Sequence, residues 1–349
     1  LLKGALKKLL SKQSLSGTEA EYCMNHILSG AAEPLQVAAF LSAAEAKGTE
    51  KEELLGYLRA MWSQMIPVKR TGDVVDICGT GGDMLGSFNI STAAALIASA
   101  AGAQVAKCGN RSSSSSCGSA DLLEAAGIRI ELSSTEADGW LREHGFAFLF
   151  TPKFHPSISS LSALRRSLGF RTIFNLIGPL GNPIRPTRRL MGVSSAALAP
   201  LYADILCSIG TEHSLVALGM DGMDEISLSA PTVLYEIKGQ AVTRSLWEPQ
   251  SIGLQYVDIE ELKGGTVQDN VNILHMLFEG SRQVSAIRQV TCVNAGAALM
   301  ISGLTDTLQE GYWLADETIS SGKAGTKLQE LMNSSIQIRE EAQNYVHAE

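Results

Sequence analysis

Two short runs carry most of the residues that could do chemistry. Gly79 to Thr92 reads GTGGDMLGSFNIST, and Lys107 to Asp121 reads KCGNRSSSSSCGSAD. Glycine lets the main chain approach a ligand closely and adopt positive φ. Backbone N–H groups at a helix start attract anions. Asn89, Ile90, Ser91 and Thr92 sit where a helix should begin, and their hydroxyls and N–H groups suit a phosphate monoester. Two common phosphate motifs are excluded. No lysine precedes a hydroxyl in P-loop spacing, and Met84 stands where a dinucleotide fingerprint needs its last glycine.

In the second run Lys107 and Arg111 bring positive charge to a strand end. Gly109 and the serines Ser112, Ser113, Ser114, Ser115 and Ser119 supply donors able to wrap oxyanions. A third piece, GMDGMDEIS, places Asp221, Asp224 and Glu225 after an apolar strand. Such carboxylates repel unless a cation or water relieves them, and Mg²⁺ prefers one or two carboxylates plus ligand phosphates. A fourth piece, LRRSLGFRTIFN, holds Arg165, Arg166 and Arg171. Arg165 and Arg166 are adjacent on a helix and face different ways. One can be a surface charge while the other grips a carboxylate through a bidentate fork. The six histidines form no metal spacing, and only His155 falls near these pieces. Neither a Ser-His-Asp signature nor a nucleophile elbow is present. A reaction needing little acid–base help from side chains is expected.

These pieces need elements to position them. The stretch 1–72 reads helical, with apolar residues at helical spacing and Ser16 three before Glu19 as a capping box. The texture changes at DVVDICGTGG. Strand-like runs (DVVDIC, AQVAK, IRIEL, FAFLFT, LMGVS, HSLVALGM, TVLYEIKG, AVTRSLWEP) then alternate with helical ones. That alternation implies an α/β fold with a mostly parallel sheet over 73–349. A helical segment returns near 157–182, and GPLGNPIRPT reads as a linker. Both glycine-rich loops follow strands, so both fall at the carboxyl edge of the sheet, where such folds bind ligands.

Composition narrows the partners. The chain has 349 residues, 45% hydrophobic, enough for a sizeable core. Its net charge of −8 argues against general nucleic-acid binding, which needs many Lys and Arg on phosphates. The six cysteines form no CxxC pair and read as free thiols in a reducing compartment. LLKGALKKLLSK is amphipathic and lacks a cleavage site, and the apolar run Ser91–Ala106 is too short to span a bilayer. A cytoplasmic protein with no membrane or nucleic-acid partner is expected.

The ordered set GTGGD, NIST, GNR with its serine run, RTIFNLIGPLGNP, DGMDE and NAGAAL resembles the anthranilate phosphoribosyltransferase family of tryptophan biosynthesis, over nearly the whole chain. The resemblance implies a small N-terminal helical domain plus a larger α/β domain of the nucleoside phosphorylase/phosphoribosyltransferase type, joined at a hinge. It implies a homodimer formed through the helical domains. The implied reaction joins anthranilate to 5-phosphoribosyl diphosphate, releasing diphosphate, with Mg²⁺, two ions being expected. By resemblance Gly79, Gly82, Asp83, Ser87, Asn89, Ile90, Ser91 and Thr92 meet phosphoribosyl diphosphate, with Lys107, Cys108, Gly109, Asn110, Arg111, Ser112 to Ser115 and Ser119. Gly79, Asn110 and Arg165 meet anthranilate, and Ser91, Asp224 and Glu225 hold magnesium. Asp83 faces magnesium carried by the diphosphate, ribose hydroxyls, or local N–H groups. Where the family commonly has histidine, Cys108 stands; it packs but gives up the imidazole's hydrogen bonds. The alternatives are a pyrimidine nucleoside phosphorylase, against which the NIST and DGMDE pair argues, and a non-enzymatic nucleic-acid-binding relative, against which the charge argues.

Overall fold

Runs such as Val74–Ile77 and Phe146–Phe150 are buried along their whole length, as strands of a parallel sheet covered on both faces must be. The computed structural model describes residues 2–69, 72–112 and 116–346. Its strands are β1 (Val74–Gly79), β2 (Gln104–Gly109), β3 (Phe146–Phe150), β4 (Arg188–Gly192), β5 (His213–Gly219), β6 (Thr232–Lys238) and β7 (Ala241–Trp247). They form one 7-stranded sheet in the order β3-β2-β1-β4-β5-β6-β7. β1 to β5 are parallel, while β6 and β7 add an antiparallel hairpin at one edge.

Side-chain alternation splits the core between the two faces of the sheet. Leu190, Leu215 and Leu234 join one layer with the helices Ile90–Ala100 and Ser285–Ser302. Met191, Val216 and Ile237 join another with the helix Leu198–Ser208 and the N-terminal bundle. In Ile90–Ala100 the alanines 93, 94, 95 and 98 are fully buried, which lets that helix lie close to its neighbours. Enlarging Ala95 to Leu would overpack this layer at a cost of ~1–3 kcal/mol. The helical stretch Arg282–Ser302 is long and apolar enough to cross a membrane, yet 78% of its apolar window is buried inside the protein, as befits a core helix.

The bundle comprises Leu2–Leu10, Gly17–Leu28, Pro34–Lys47 and Lys51–Gln64. The Ser16–Glu19 capping box forms as expected, with the Glu19 N–H donating to Ser16 Oγ at 3.2 Å. The helical segment returns within the crossover from β3 to β4, as Pro156–Ser159, Ser162–Leu168 and Ile173–Ile177. Ile173, Phe174 and Ile177 enter the bundle core.

Two expectations fail. IRIEL is not a strand: Ile128, Ile130 and Leu132 are buried in alternation, but the Arg129 N–H donates to Ser335 Oγ rather than to a ladder. Alternation reports an extended, half-buried chain, not its hydrogen-bond partner. GPLGNPIRPT is no exposed linker either. Leu180, Asn182 and Ile184 are buried, and Asn182 Nδ2 donates to the Ala106 carbonyl at 2.7 Å. Proline and glycine mark a turn, but burial follows from the crossover running beneath the sheet edge.

Candidate active site

The chain leaves β1 toward β2 on one side and β4 toward β5 on the other, so the strand order reverses between β1 and β4. The crevice outside their carboxyl ends is the topological switch point at which such sheets bind ligands. Gly79 and Gly192 end these strands as register partners. Asp224, from the loop after β5, leans across both, and a Cβ on Gly79 would collide with its carboxylate. Asp224 Oδ2 accepts from the Gly81 N–H at 2.6 Å, which pins the GTGGD turn over the crevice.

Beside it, Glu225 Oε1 accepts from the Ser91 N–H at 3.1 Å, at the first turn of Ile90–Ala100. Ser91 Oγ accepts from Lys107 Nζ at 3.2 Å, and Lys107 also donates to the Ile77 carbonyl at 2.7 Å. Residues far apart in sequence thus meet: the end of β2, the start of a helix, and the DGMDE loop. Burial raises the Glu225 carboxyl well above the ordinary carboxylate range, and neighbouring Asp224 raises it further, while Lys107 and Ser91 oppose. Burial likewise raises Asp224, assisted by Asp83. Burial lowers Lys107, against the pull of Asp76 and Glu225. Two buried carboxylates with too little compensating charge fit a cation.

Other observations at the site fit a ligand. Asn89 Oδ1 and Thr92 Oγ1 are buried without a partner. Among the described residues no three His, Cys, Asp or Glu side chains cluster to cage a metal. Ser91, Asp224 and Glu225 lie together, and two carboxylates with a hydroxyl could hold an Mg²⁺ that shares its coordination with phosphates and water. Asp83 Oδ1 accepts from the Leu85 N–H at 3.3 Å, so local N–H satisfies part of it. Ile90 contributes no free N–H, since it donates to the Phe88 carbonyl at 2.6 Å, and its side chain is buried. Ser87 forms an isolated bridge with Lys263.

The serine loop is tied down differently. Arg111 is held by Glu124 at 2.7 Å and Asp121 at 3.3 Å, and its guanidinium lies 5.6 Å from the Phe150 ring centre. The N–H groups of Ser112 and Gly118 both donate to Asp121 Oδ2. Asn110 is exposed, Gly109 ends β2, and Ser119 opens the helix Ser119–Ala125. Ser113, Ser114 and Ser115 lie outside the described residues. Cys108 Sγ sits 3.5 Å from Thr151 Oγ1, and burial, with Asp76 nearby, pushes its thiol up to about 12.

Arg165 and Arg166 separate as adjacent helical residues should. Arg166 is exposed, whereas Arg165 is half-buried with its guanidinium 5.1 Å from the Phe174 ring centre. No hydrogen bond or ion pair engages the Arg165 guanidinium among the described residues, and burial lowers its pKa. His155 turns into the fold, where Nε2 donates to the Gly181 carbonyl at 2.7 Å. Asp221 also points away from the crevice: it accepts from Ser227, Ser229 and the Met223 N–H, and so shapes the loop.

Two glycosyltransferase family models match, one for a helical bundle domain over residues 3–65 and one for an a/b domain over residues 71–325. The anthranilate phosphoribosyltransferase of Pelotomaculum thermopropionicum is 42% identical over 333 residues, covering 95% of this chain and 96% of that protein. This chain belongs to the anthranilate phosphoribosyltransferase family. Its fold matches the crystal structure of the Thermus thermophilus anthranilate phosphoribosyltransferase with a TM-score of 0.88 at 34% identity, covering 95% of this chain and 99% of that one. It also matches the Saccharomyces cerevisiae anthranilate phosphoribosyltransferase in complex with PRPP and Mg, with a TM-score of 0.88 at 27% identity over 96% and 98% of the two chains. The pyrimidine nucleoside phosphorylase and nucleic-acid-binding alternatives are set aside in favour of this family.

Several residues with a hand in the site escape motif reading. Arg171 Nη2 donates to the Thr80 carbonyl at 3.3 Å, and a Cβ on Gly82 would stand 2.6 Å from its Nη1. It joins the returning helical segment to the GTGGD turn. Ser194 Oγ donates to the Gly81 carbonyl at 3.1 Å. Asn294 brackets Ile226, its Oδ1 accepting from that N–H and its Nδ2 donating to that carbonyl. The only signal for Asn294 is its place in NAGAAL; nothing local distinguishes Ser194.

Proposed function

We propose that the protein transfers the 5-phosphoribosyl group of phosphoribosyl diphosphate to the amine of anthranilate, a step of tryptophan biosynthesis. The observation that carries this reading is the convergence of Ser91, Lys107, Asp224 and Glu225 on the switch point. The bond from the ribose anomeric carbon to diphosphate breaks as the amine nitrogen bonds to that carbon, the electron pair leaves with diphosphate, and the nitrogen gives up one proton to solvent or to the departing diphosphate. The amine is already a nucleophile, so the protein's work is positioning and charge stabilisation. Ser91, Asp224 and Glu225 would hold magnesium, two ions being the number proposed. Bound magnesium supplies positive charge to the departing diphosphate. Gly79, Gly82, Asp83, Ser87 and Asn89 to Thr92 would meet phosphoribosyl diphosphate, as would Lys107 to Ser115 and Ser119 by resemblance. Arg111 must exchange its carboxylates for phosphate or serve only to hold the loop. The unengaged Arg165 takes the anthranilate carboxylate, beside Gly79 and Asn110.

We further propose a homodimer through the helical domain, where Leu10, Tyr22 and Leu35 are exposed at 68%, 61% and 85%. The cytoplasm is the proposed compartment, in keeping with six free thiols. The direct test is the loss of anthranilate fluorescence on adding phosphoribosyl diphosphate and Mg²⁺. Kinetics unchanged in Arg165→Ala, Asp224→Asn and Glu225→Gln would overturn the site assignment.

A further inference from the structure

A cavity of about 350 Å³ opens at the amino ends of β4 and β5, the edge of the sheet opposite the candidate active site. Its walls include Trp62 from the helical bundle and Arg185, Arg189, Ile209 and Thr211 from the α/β domain. Arg189 is 1% exposed, and its guanidinium is poorly supplied with acceptors. Nη1 reaches Asp76 Oδ2 only at 3.4 Å and the Pro179 carbonyl at 3.5 Å, and Nε is buried without a partner. Charge-assisted bonds are normally shorter, ~2.7–2.9 Å. Thr211, 3% exposed, likewise has a buried Oγ1 with no partner. Buried donors left unpaired are costly, and those in native folds call for an explanation.

Arg185 adds a second, independent sign. Its backbone is held at φ 50°, a region a non-glycine residue seldom occupies, and its guanidinium lies 4.2 Å from the Trp62 ring centre. The nearby end of the helix Leu198–Ser208 is capped by backbone donors, which weakens its repulsion of an anion. Its last carbonyls already accept from the N–H groups of Ile209, Gly210 and Thr211. Glu212, just beyond, is paired with Arg188 at 3.3 Å.

We propose that this cavity is a second ligand site, for a small carboxylate with an apolar body. The carboxylate accepts from Arg189, Arg185 and the Thr211 hydroxyl, while the body lies against Ile184 and Ile209. A planar fork matches a carboxylate. An Arg189 charge already partly offset by Asp76 favours a monoanion over phosphate, and Ile184 and Ile209 leave room for a small apolar body within a mostly polar lining. With walls from both domains, an occupant would bridge them.

The test is a ¹⁹F NMR titration of the full chain with 4-fluorobenzoate, with inorganic phosphate as a second arm. The expected result is saturable 4-fluorobenzoate binding that persists in Arg165→Ala. That binding should weaken about tenfold in Arg185→Ala and in Thr211→Val, the loss of one good hydrogen bond in each. Both variants should keep the wild-type melting temperature, Arg185 being exposed and Val nearly isosteric with Thr. Binding lost in Arg165→Ala but untouched in the other two would overturn the proposal, as would binding of phosphate alone or no binding at all. Because the readout is binding and not turnover, its failure is separate from failure of the transferase reading.

Discussion

Two buried glutamates show how structural and functional burial differ. Glu53 in the bundle is 1% exposed and fully provided for. Its Oε1 accepts from the Leu15 N–H at 2.9 Å, and its Oε2 accepts from Lys47 Nζ at 2.7 Å and from the Glu50 N–H. Glu225 is also buried, at 8% exposed, yet its neighbour is another carboxylate, and Lys107 spends its donors on Ile77 and Ser91. The first arrangement is closed. The second is short of positive charge, and a ligand carrying a cation would complete it. Burial alone therefore does not mark a site; unfinished compensation does.

The largest test of this contrast is Lys47→Met, which leaves Glu53 buried and unpaired. It should destabilise the fold by ~3–5 kcal/mol in chemical denaturation, with the magnesium dependence of surviving activity unchanged. Glu225→Gln and Asp224→Asn should do the opposite. Turnover should fall about 10- to 100-fold with a weaker response to magnesium, while the melting temperature without metal should hold or rise, because like-charge repulsion is removed. A loss of melting temperature in these variants would erase the distinction between the two glutamates. Arg165→Ala should raise the anthranilate KM about tenfold or more through loss of a charge-assisted contact, leaving the phosphoribosyl diphosphate KM nearly unchanged.

The smallest effect belongs to His155, a third buried titratable group that, like Glu53, has its partner in place. Burial lowers its pKa, so the unfolded chain takes up a proton first as pH falls. Stability at this residue is therefore full above the ordinary histidine value of ~6.5 and declines as pH drops below it. His155→Gln should flatten the fall in melting temperature between neutral and mildly acidic pH. An equally steep fall in the variant would assign that pH dependence to other groups.

Much of the site was legible because glycine, hydroxyl and carboxylate types cluster in short runs, and strand–loop–helix order places those runs on one edge. Arg171 was visible only as one of three arginines, since its hold on Thr80 depends on how the crossover folds back. The ion pairs of Arg111 with Asp121 and Glu124, on the next helix, were not legible in the loop itself. IRIEL looked like a strand because hydrophobic alternation is local, whereas ladder pairing is not.

By itself the sequence determined the helical start, the parallel α/β plan, the residue types at the site and the family resemblance, all of which rest on local pattern and composition. The tertiary structure alone decided that the reversal of strand order falls between β1 and β4 and that Asp224 closes over Gly79. It also decided that Glu225 lacks the partners Glu53 enjoys, and that Arg189 and Thr211 share a cavity at the far edge. Those outcomes depend on which distant segments share a buried space, and there the cost of an unpaired polar group is set by neighbours that no local stretch of sequence contains.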